Sequence, residues 1–297
     1  MTEFEETVFA QVLVRATKST GLEVRDDVLR FIAMRTDYHM HTPLCGHATG
    51  APREYVLAAQ EAGLVEIGFS DHNPMPTQFD DWRMAPNQLP EYVGMIREAQ
   101  SEFSDYPIRL GLECDFISGY EGYIKYLAEQ AEWDYLIGSV HYVTPDWDID
   151  NPRHLKRWKE QPVEDIWKAY FAAYTKMAES CLFDFLAHPD LVKKFGYKPA
   201  GDLTRFYQNA LDAIAEAGSV LEVSTAGLRK DVREIYPSRE FLEAAHQRHI
   251  PIVINSDAHA PEEVAYEFDQ AYALVREVGY TQVMQFEKRK AVPVDIA

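Results

Sequence analysis

Nine residues in this chain have the types and placement to hold metal ions: His39, His41, His47, His72, Glu113, His141, His188, Asp257 and His259. The densest stretch is Asp37-Tyr38-His39-Met40-His41, with His47 close behind. Histidines at i and i+2 share one face of a strand end, whereas a helix would splay them apart. Neutral imidazole is the commonest nitrogen ligand for metals, and nothing in a packed core asks for His-x-His there. Nine ligands exceed the four of a tetrahedral site; with one carboxylate bridging, they suit three divalent ions. Three dications beside two carboxylates, a hydroxide and a phosphate dianion approach neutrality. That balance favours a phosphate monoester as substrate and a metal-activated water as nucleophile. No thiolate is among the nine, so zinc, manganese, iron and cobalt all stay open. Cys45, between His41 and His47, is expected to pack beneath its loop. Cys114 is expected to point away from Glu113.

These residues repeatedly end short apolar runs. Strands are expected at residues 35–39, 65–70, 108–112, 134–140, 183–187, 220–223 and 251–255. Helices are expected from Pro52, from Pro90, over 163–180, 203–217 and 238–248, and from Pro261 to about residue 278. A long loop is expected over 142–162, and a tail over 280–297 with room for one more strand. Seven strand–helix units argue for parallel strands with crossover helices. A closed barrel is favoured over an open sheet, because only a barrel gathers the C-terminal ends of all its strands on one face. No G-x-G-x-x-G nucleotide fingerprint follows any strand. Residues 34–297 read as a single barrel unit. Residues 1–33 read as an extension of no assignable role, with a short strand or turn at 8–14 and a helix at 26–33. Met34 would serve as a start codon.

The chain has 297 residues, 46% of them hydrophobic, which suits one α/β barrel with a full core. No apolar run approaches the roughly 18 residues that span a bilayer. The net charge of −19 opposes nucleic-acid binding, since such surfaces must neutralise phosphates. A small phosphorylated partner remains open, because buried dications reverse the local field. The three cysteines form no disulfide framework and no Cys-x-x-Cys site, as expected in a reducing cytoplasm. Oligomeric state is left open.

The motifs then resemble a known family. Asp37-Tyr38-His39-Met40-His41-Thr42, His47, Ser70-Asp71-His72, Gly111-Leu112-Glu113, Gly138-Ser139-Val140-His141 and Ser256-Asp257-Ala258-His259 resemble those of the PHP (polymerase and histidinol phosphatase) superfamily. Three further stretches are similar to its histidinol-phosphatase branch: Trp147-Asp148-Ile149-Asp150-Asn151-Pro152, Asp184-Phe185-Leu186-Ala187-His188-Pro189-Asp190-Leu191 and Ser224-Thr225-Ala226-Gly227-Leu228-Arg229-Lys230. The resemblance runs from about residue 36 to 279. It implies a distorted (β/α)7 TIM-like barrel with a trinuclear site of zinc, manganese or iron. In it, His39, His41, Glu113 and Asp257 would hold one ion. Glu113, His141 and His188 would hold a second, and His47, His72 and His259 a third. It also implies in-line hydrolysis of histidinol phosphate without a phosphoenzyme, with Glu113, Asp257 and His259 as catalytic residues. Arg229 and Lys194 would grip the phosphate. Beside that resemblance, the loop after His141 offers Asp148 and Asp150 for a substrate amine and Trp147 for an imidazole ring. The alternatives are another phosphoesterase of the same superfamily and a non-catalytic metal-binding barrel.

Overall fold

A computed structural model describes residues 35–77 and 79–296. The segments expected at 8–14 and 26–33 lie outside the described residues. Seven parallel strands form one sheet: β1 (Thr36–Asp37), β2 (Glu66–Phe69), β3 (Ile108–Asp115), β4 (Tyr135–Ser139), β7 (Phe185–Leu186), β8 (Val220–Ser224) and β9 (Ile252–Asn255). β5 (Tyr142–Thr144) and β6 (Trp147–Asp148) form a small hairpin between β4 and β7.

The sheet bends round until β9 meets β1. At that seam the His41 amide donates to the Ala258 carbonyl and the Ala258 amide to the His39 carbonyl, both at 2.9 Å. The Tyr38 amide donates to Asn255 Oδ1 at 2.8 Å, so a side chain supplies an acceptor beside the backbone ladder. Asp37 completes the closure, taking the Ser256 amide at 3.0 Å.

Crossover helices cover the outside: α1 (Pro52–Glu61), α2 (Leu89–Glu102), α3 (Glu121–Ala128), α4 (Leu155–Glu160), α5 (Val163–Glu179), α6 (Thr204–Ala217), α7 (Arg239–Gln247) and α8 (Phe268–Val278). α1 begins where Pro52 needs no amide partner, and Glu54 reaches back to the Ala51 amide at 2.7 Å. α5 packs on α6 and α7 through aromatic pairs, Trp167 with Phe206 and Phe171 with Tyr207 and Phe241.

Strand alternation divides the side chains into two cores. Leu110, Leu112 and Cys114 of β3 face the helices, as Cys114 was expected to. Tyr135 and Ile137 of β4 join Tyr38, Phe185, Ala187, Val220 and Val253 in a second cluster inside the barrel. The Tyr135 ring fills the space beside β3. A Cβ on Gly111 would sit 2.1 Å from that ring, so only glycine fits there. β10 (Gln282–Glu287) and β11 (Lys290–Asp295) form a hairpin, where one extra strand was expected. Its Phe286 enters the inner cluster, and its turn donates from the Lys288 amide to Asp134 Oδ1 at 3.1 Å. Apolar residues thus fill the barrel below, and the opposite end is left to polar ones.

Three other expectations shift. α3 has only Ile124 and Leu127 buried, too short a pattern to stand out in sequence. The long loop after His141 holds β5, β6 and α4. The last helix starts at Phe268 rather than Pro261, because Pro261–Glu263 forms only a short 3-10 turn.

Candidate metal centre

All nine candidate ligands follow or end barrel strands, and the fold gathers them into one cluster. Glu113 stands at its middle. Its Oε2 lies 3.3 Å from His39 Nε2, 3.6 Å from His41 Nε2 and 2.8 Å from His72 Nδ1. Its Oε1 lies 3.1 Å from His188 Nε2 and 3.8 Å from His141 Nε2. Asp257 Oδ1 is 3.2 Å from His41 Nε2, 3.7 Å from His39 Nε2 and 3.5 Å from His259 Nδ1. The His259 ring stacks on His41 at 4.0 Å and on His47 at 4.6 Å.

Local backbone explains this convergence. A bridge between His72 and Glu113 extends the β2–β3 ladder and sets those two side by side. His188 and Asp257 take positive φ values of 25° and 51°, turning the chain sharply at the strand ends. Such conformations recur at functional sites.

The cluster fits metal ions by the chemistry of its atoms. His39 Nε2, His41 Nδ1 and Nε2, His72 Nδ1, His259 Nε2 and Glu113 Oε2 are buried and have no hydrogen-bond partner among the described residues. Buried polar atoms are almost always satisfied, so six in one place need an explanation. Four sets bring their ligand atoms within 4.8 Å of one another: His39, His41 and Glu113; His47, His72 and His259; His72, Glu113 and His141; and His41, Cys45 and His259. The second has the residues of an expected grouping, the first has three of an expected four without Asp257, and the third has His72 where His188 was expected.

Carboxylates behind the ligands set their tautomers. Glu222 binds His39 Nδ1 at 2.7 Å, also taking the His188 amide at 2.7 Å and Asn255 Nδ2 at 2.8 Å. Asp115 binds His141 Nδ1 at 2.7 Å. Each leaves Nε2 aimed at the centre, the usual outer support of a metal-ligating histidine. Asp115 is itself held by Arg83 Nη2 at 2.8 Å. Burial alone would raise the Glu113 carboxyl; His72 and His39 overcome it and hold it well below the carboxylate range. Burial pushes His72 down to about 4 and lowers His259 and His47, the direction that favours the neutral imidazole a metal takes. Burial would lower His141 too, but Asp115 lifts it to about 10. Cys45 lies close to His41 and His259. Cys45 is fully buried, and burial pushes its thiol up to about 12.

The expected substrate contacts fare less evenly. Arg229 Nη2 donates to the Ser256 and Asp257 carbonyls, both at 2.9 Å, which sets it against the cluster. Lys194 is paired with Asp150 at 2.9 Å. Asp150 is largely enclosed; burial would raise its carboxyl, but Lys194 and His141 hold it low and anionic. Asp148 is a correction. Its carboxylate is buried and turned to Trp82 Nε1 (3.1 Å), Asn151 Nδ2 (2.8 Å) and His154 Nδ1 (2.5 Å), so it anchors the loop. Trp147 is also buried, against Trp158 and Arg157, and offers no open indole face. Trp82 stands nearer, its ring 4.8 Å from His72 and 5.3 Å from His141.

Sequence reasoning missed Glu222, Asp115, Arg83, Trp82 and Asp71, whose Oδ1 lies 3.5 Å from His41 Nδ1. Two had a visible signal. Asp115 lies two residues after Glu113, on the same strand face, and Glu222 interrupts the apolar run of β8.

Fold and site together define a metal-binding parallel α/β barrel, with its ligands at the C-terminal ends of the strands. The PHP domain model matches residues 37–226, and the chain belongs to that family. A probable histidinol-phosphatase of Deinococcus radiodurans is 44% identical over 259 residues, covering 86% of this chain and 98% of that protein. The histidinol-phosphatase of Bacillus subtilis is 29% identical over 262 residues, covering 79% and 97%. Among solved structures, histidinol phosphate phosphatase of Lactococcus lactis, in complex with zinc, L-histidinol and phosphate, superposes with a TM-score of 0.72. It is 22% identical and covers 88% of this chain and 99% of that one. The seven-stranded barrel is thus the family's fold. Among the described residues no helix is long and apolar enough to cross a membrane.

Proposed function

We propose that this chain hydrolyses L-histidinol phosphate to L-histidinol and inorganic phosphate, a step of histidine biosynthesis. One observation carries the reading: the full ring of nine ligand side chains stands in a chain 44% identical to a named probable histidinol-phosphatase over 98% of its length. The unpartnered nitrogens and the central Glu113 carboxylate fit divalent ions of zinc, manganese or iron. Three ions suit the set: one held by His39, His41, Glu113 and Asp257; one by Glu113, His141 and His188; one by His47, His72 and His259. Bound there, such ions supply charge for phosphoryl oxygens and lower the pKa of a coordinated water.

The chain's own residues do the rest. Glu113, Asp257 and His259, themselves candidate ligands, take the catalytic role, with Asp257 linking His41 and His39 to His259. Arg229, fixed on two carbonyls and paired through Nε with Glu263, has its Nη1 left for a phosphate. Asp150 is an enclosed carboxylate influenced by His141 and His188. The substrate's ammonium would take the place of Lys194 on it, freeing Lys194 towards the phosphate.

The test is phosphate release over a panel of amino-alcohol, sugar and nucleotide phosphates, with metal content measured on the same sample. Histidinol phosphate should be the best substrate. A metal-replete protein that prefers nucleotide or sugar phosphates would refute the assignment. Within that panel, Asp150→Asn should lower kcat/KM for histidinol phosphate by about ten- to a hundredfold, as for loss of a hydrogen bond to a charged group. An uncharged aryl phosphate should lose much less. Equal losses on both would show that Asp150 supports the site generally.

A further inference from the structure

The cations on the segments that follow β7 and β8 are mostly paired. Lys194 holds Asp150, and Lys193 holds Asp190 at 2.8 Å and the Ile235 carbonyl. Lys198 holds Glu234 at 2.5 Å. Arg229 has its two carbonyls and Glu263 at 3.1 Å, but its Nη1 is buried without a hydrogen-bond partner. Lys230 differs from all of these. Its side chain is half-buried, and its ammonium has no hydrogen bond or ion pair among the described residues.

The backbone fixes where Lys230 stands. The short 3-10 turn Thr225–Arg229 ends at it, with the Lys230 amide donating to the Gly227 carbonyl at 3.1 Å. On one side, Arg229 is tied to the carbonyls of Ser256 and Asp257. On the other, the Val232 amide donates to the Lys194 carbonyl at 3.1 Å. Lys230 is thus bracketed between the segment carrying the ligand Asp257 and the segment carrying Lys194. Its proton affinity reports the same surroundings: burial, Lys194 and Arg229 lower it, against a pull from Asp257 and Glu263. An enclosed cation beside two others, with no carboxylate of its own, is unfavourable unless an anion joins it.

We infer that Lys230 binds the phosphate of the substrate, completing an anion site with Arg229 Nη1; this deepens the phosphatase reading and rests on it. A phosphate dianion would meet an ammonium and a guanidinium nitrogen that have no hydrogen-bond partner among the described residues, on adjacent residues of the turn that Arg229 ties to the Ser256 and Asp257 carbonyls. Lys194 then serves as a shared cation, exchanged between Asp150 and the phosphate.

The test uses the metal-loaded enzyme with inorganic phosphate as the probe. Lys230→Met should raise the inhibition constant for inorganic phosphate about tenfold, as for loss of a charge-assisted hydrogen bond. It should raise KM for histidinol phosphate by a similar factor, with a smaller change in kcat. Lys230→Arg should recover most of both. Metal content should stay that of the parent chain. Unchanged phosphate inhibition in Lys230→Met would overturn the inference, and so would weaker inhibition that merely follows a loss of metal. The probe carries no alcohol, so the two readings fail separately. Hydrolysis of some other monoester, with phosphate binding still dependent on Lys230, would sink the histidinol assignment alone.

Discussion

Glu113→Gln should abolish turnover and strip the protein of much of its metal. Five imidazoles lie within 4.0 Å of the Glu113 carboxylate, those of His39, His41, His72, His141 and His188. An amide keeps the shape but loses the charge, and its nitrogen is no ligand. Losing an outer partner of a ligand typically costs about ten- to a hundredfold in metal affinity or activity. A central carboxylate should exceed that range. Elemental analysis and phosphate release on the same preparation check this. Full metal content with normal turnover would remove Glu113 from the centre. A folded, metal-poor and inactive variant is the expected result.

Glu222→Gln should have the second largest effect, although the residue lies behind the ligands. Glu222 is fully buried and accepts three hydrogen bonds, from the His39 ring, the His188 amide and Asn255. It therefore orients one ligand side chain, fixes the backbone of another and supports the seam residue that meets Tyr38. Glutamine has one acceptor oxygen where the carboxylate had two. Its NH2 must face a donor, and leaving a buried donor unpaired costs about 1–3 kcal/mol. Metal affinity should fall about ten- to a hundredfold, as for other outer partners. Metal titration followed by melting, with and without metal, separates the two losses. A variant that binds metal as tightly as the parent chain, whatever its melting temperature, would show that His39 needs no such support.

The difference between these two residues shows how far the chain could be read without its fold. Glu113 was legible because it ends an apolar run, as do His72, His141 and His188. Periodicity is local, and a strand followed by a chemical residue is written within ten positions or so. Glu222 was not assigned because its partners lie 183 and 34 residues away in sequence. A buried glutamate in an apolar strand announces that it has partners but not which. The loop after His141 shows the opposite error. Asp148, Asp150 and Trp147 looked equally available, since nearness to His141 in sequence was the only guide. The fold gives Asp148 to Trp82, a residue 66 positions earlier, buries Trp147 against Trp158, and pairs Asp150 with Lys194.

The sequence by itself pointed to the seven strands, six of the helices, the closed parallel barrel and the nine candidate ligands. Alternation along a strand and residue type at its end are properties of short segments, and a barrel brings such ends together whatever the loops do. Only the tertiary structure decided which carboxylates stand behind the imidazoles, which loop acids are spent on structure, and that Lys230 lacks a partner among the described residues where its neighbours have one. Those are facts of pairing. Which donor meets which acceptor in a buried site depends on groups brought together from distant segments, and burial makes each pairing matter by raising the cost of a missed one.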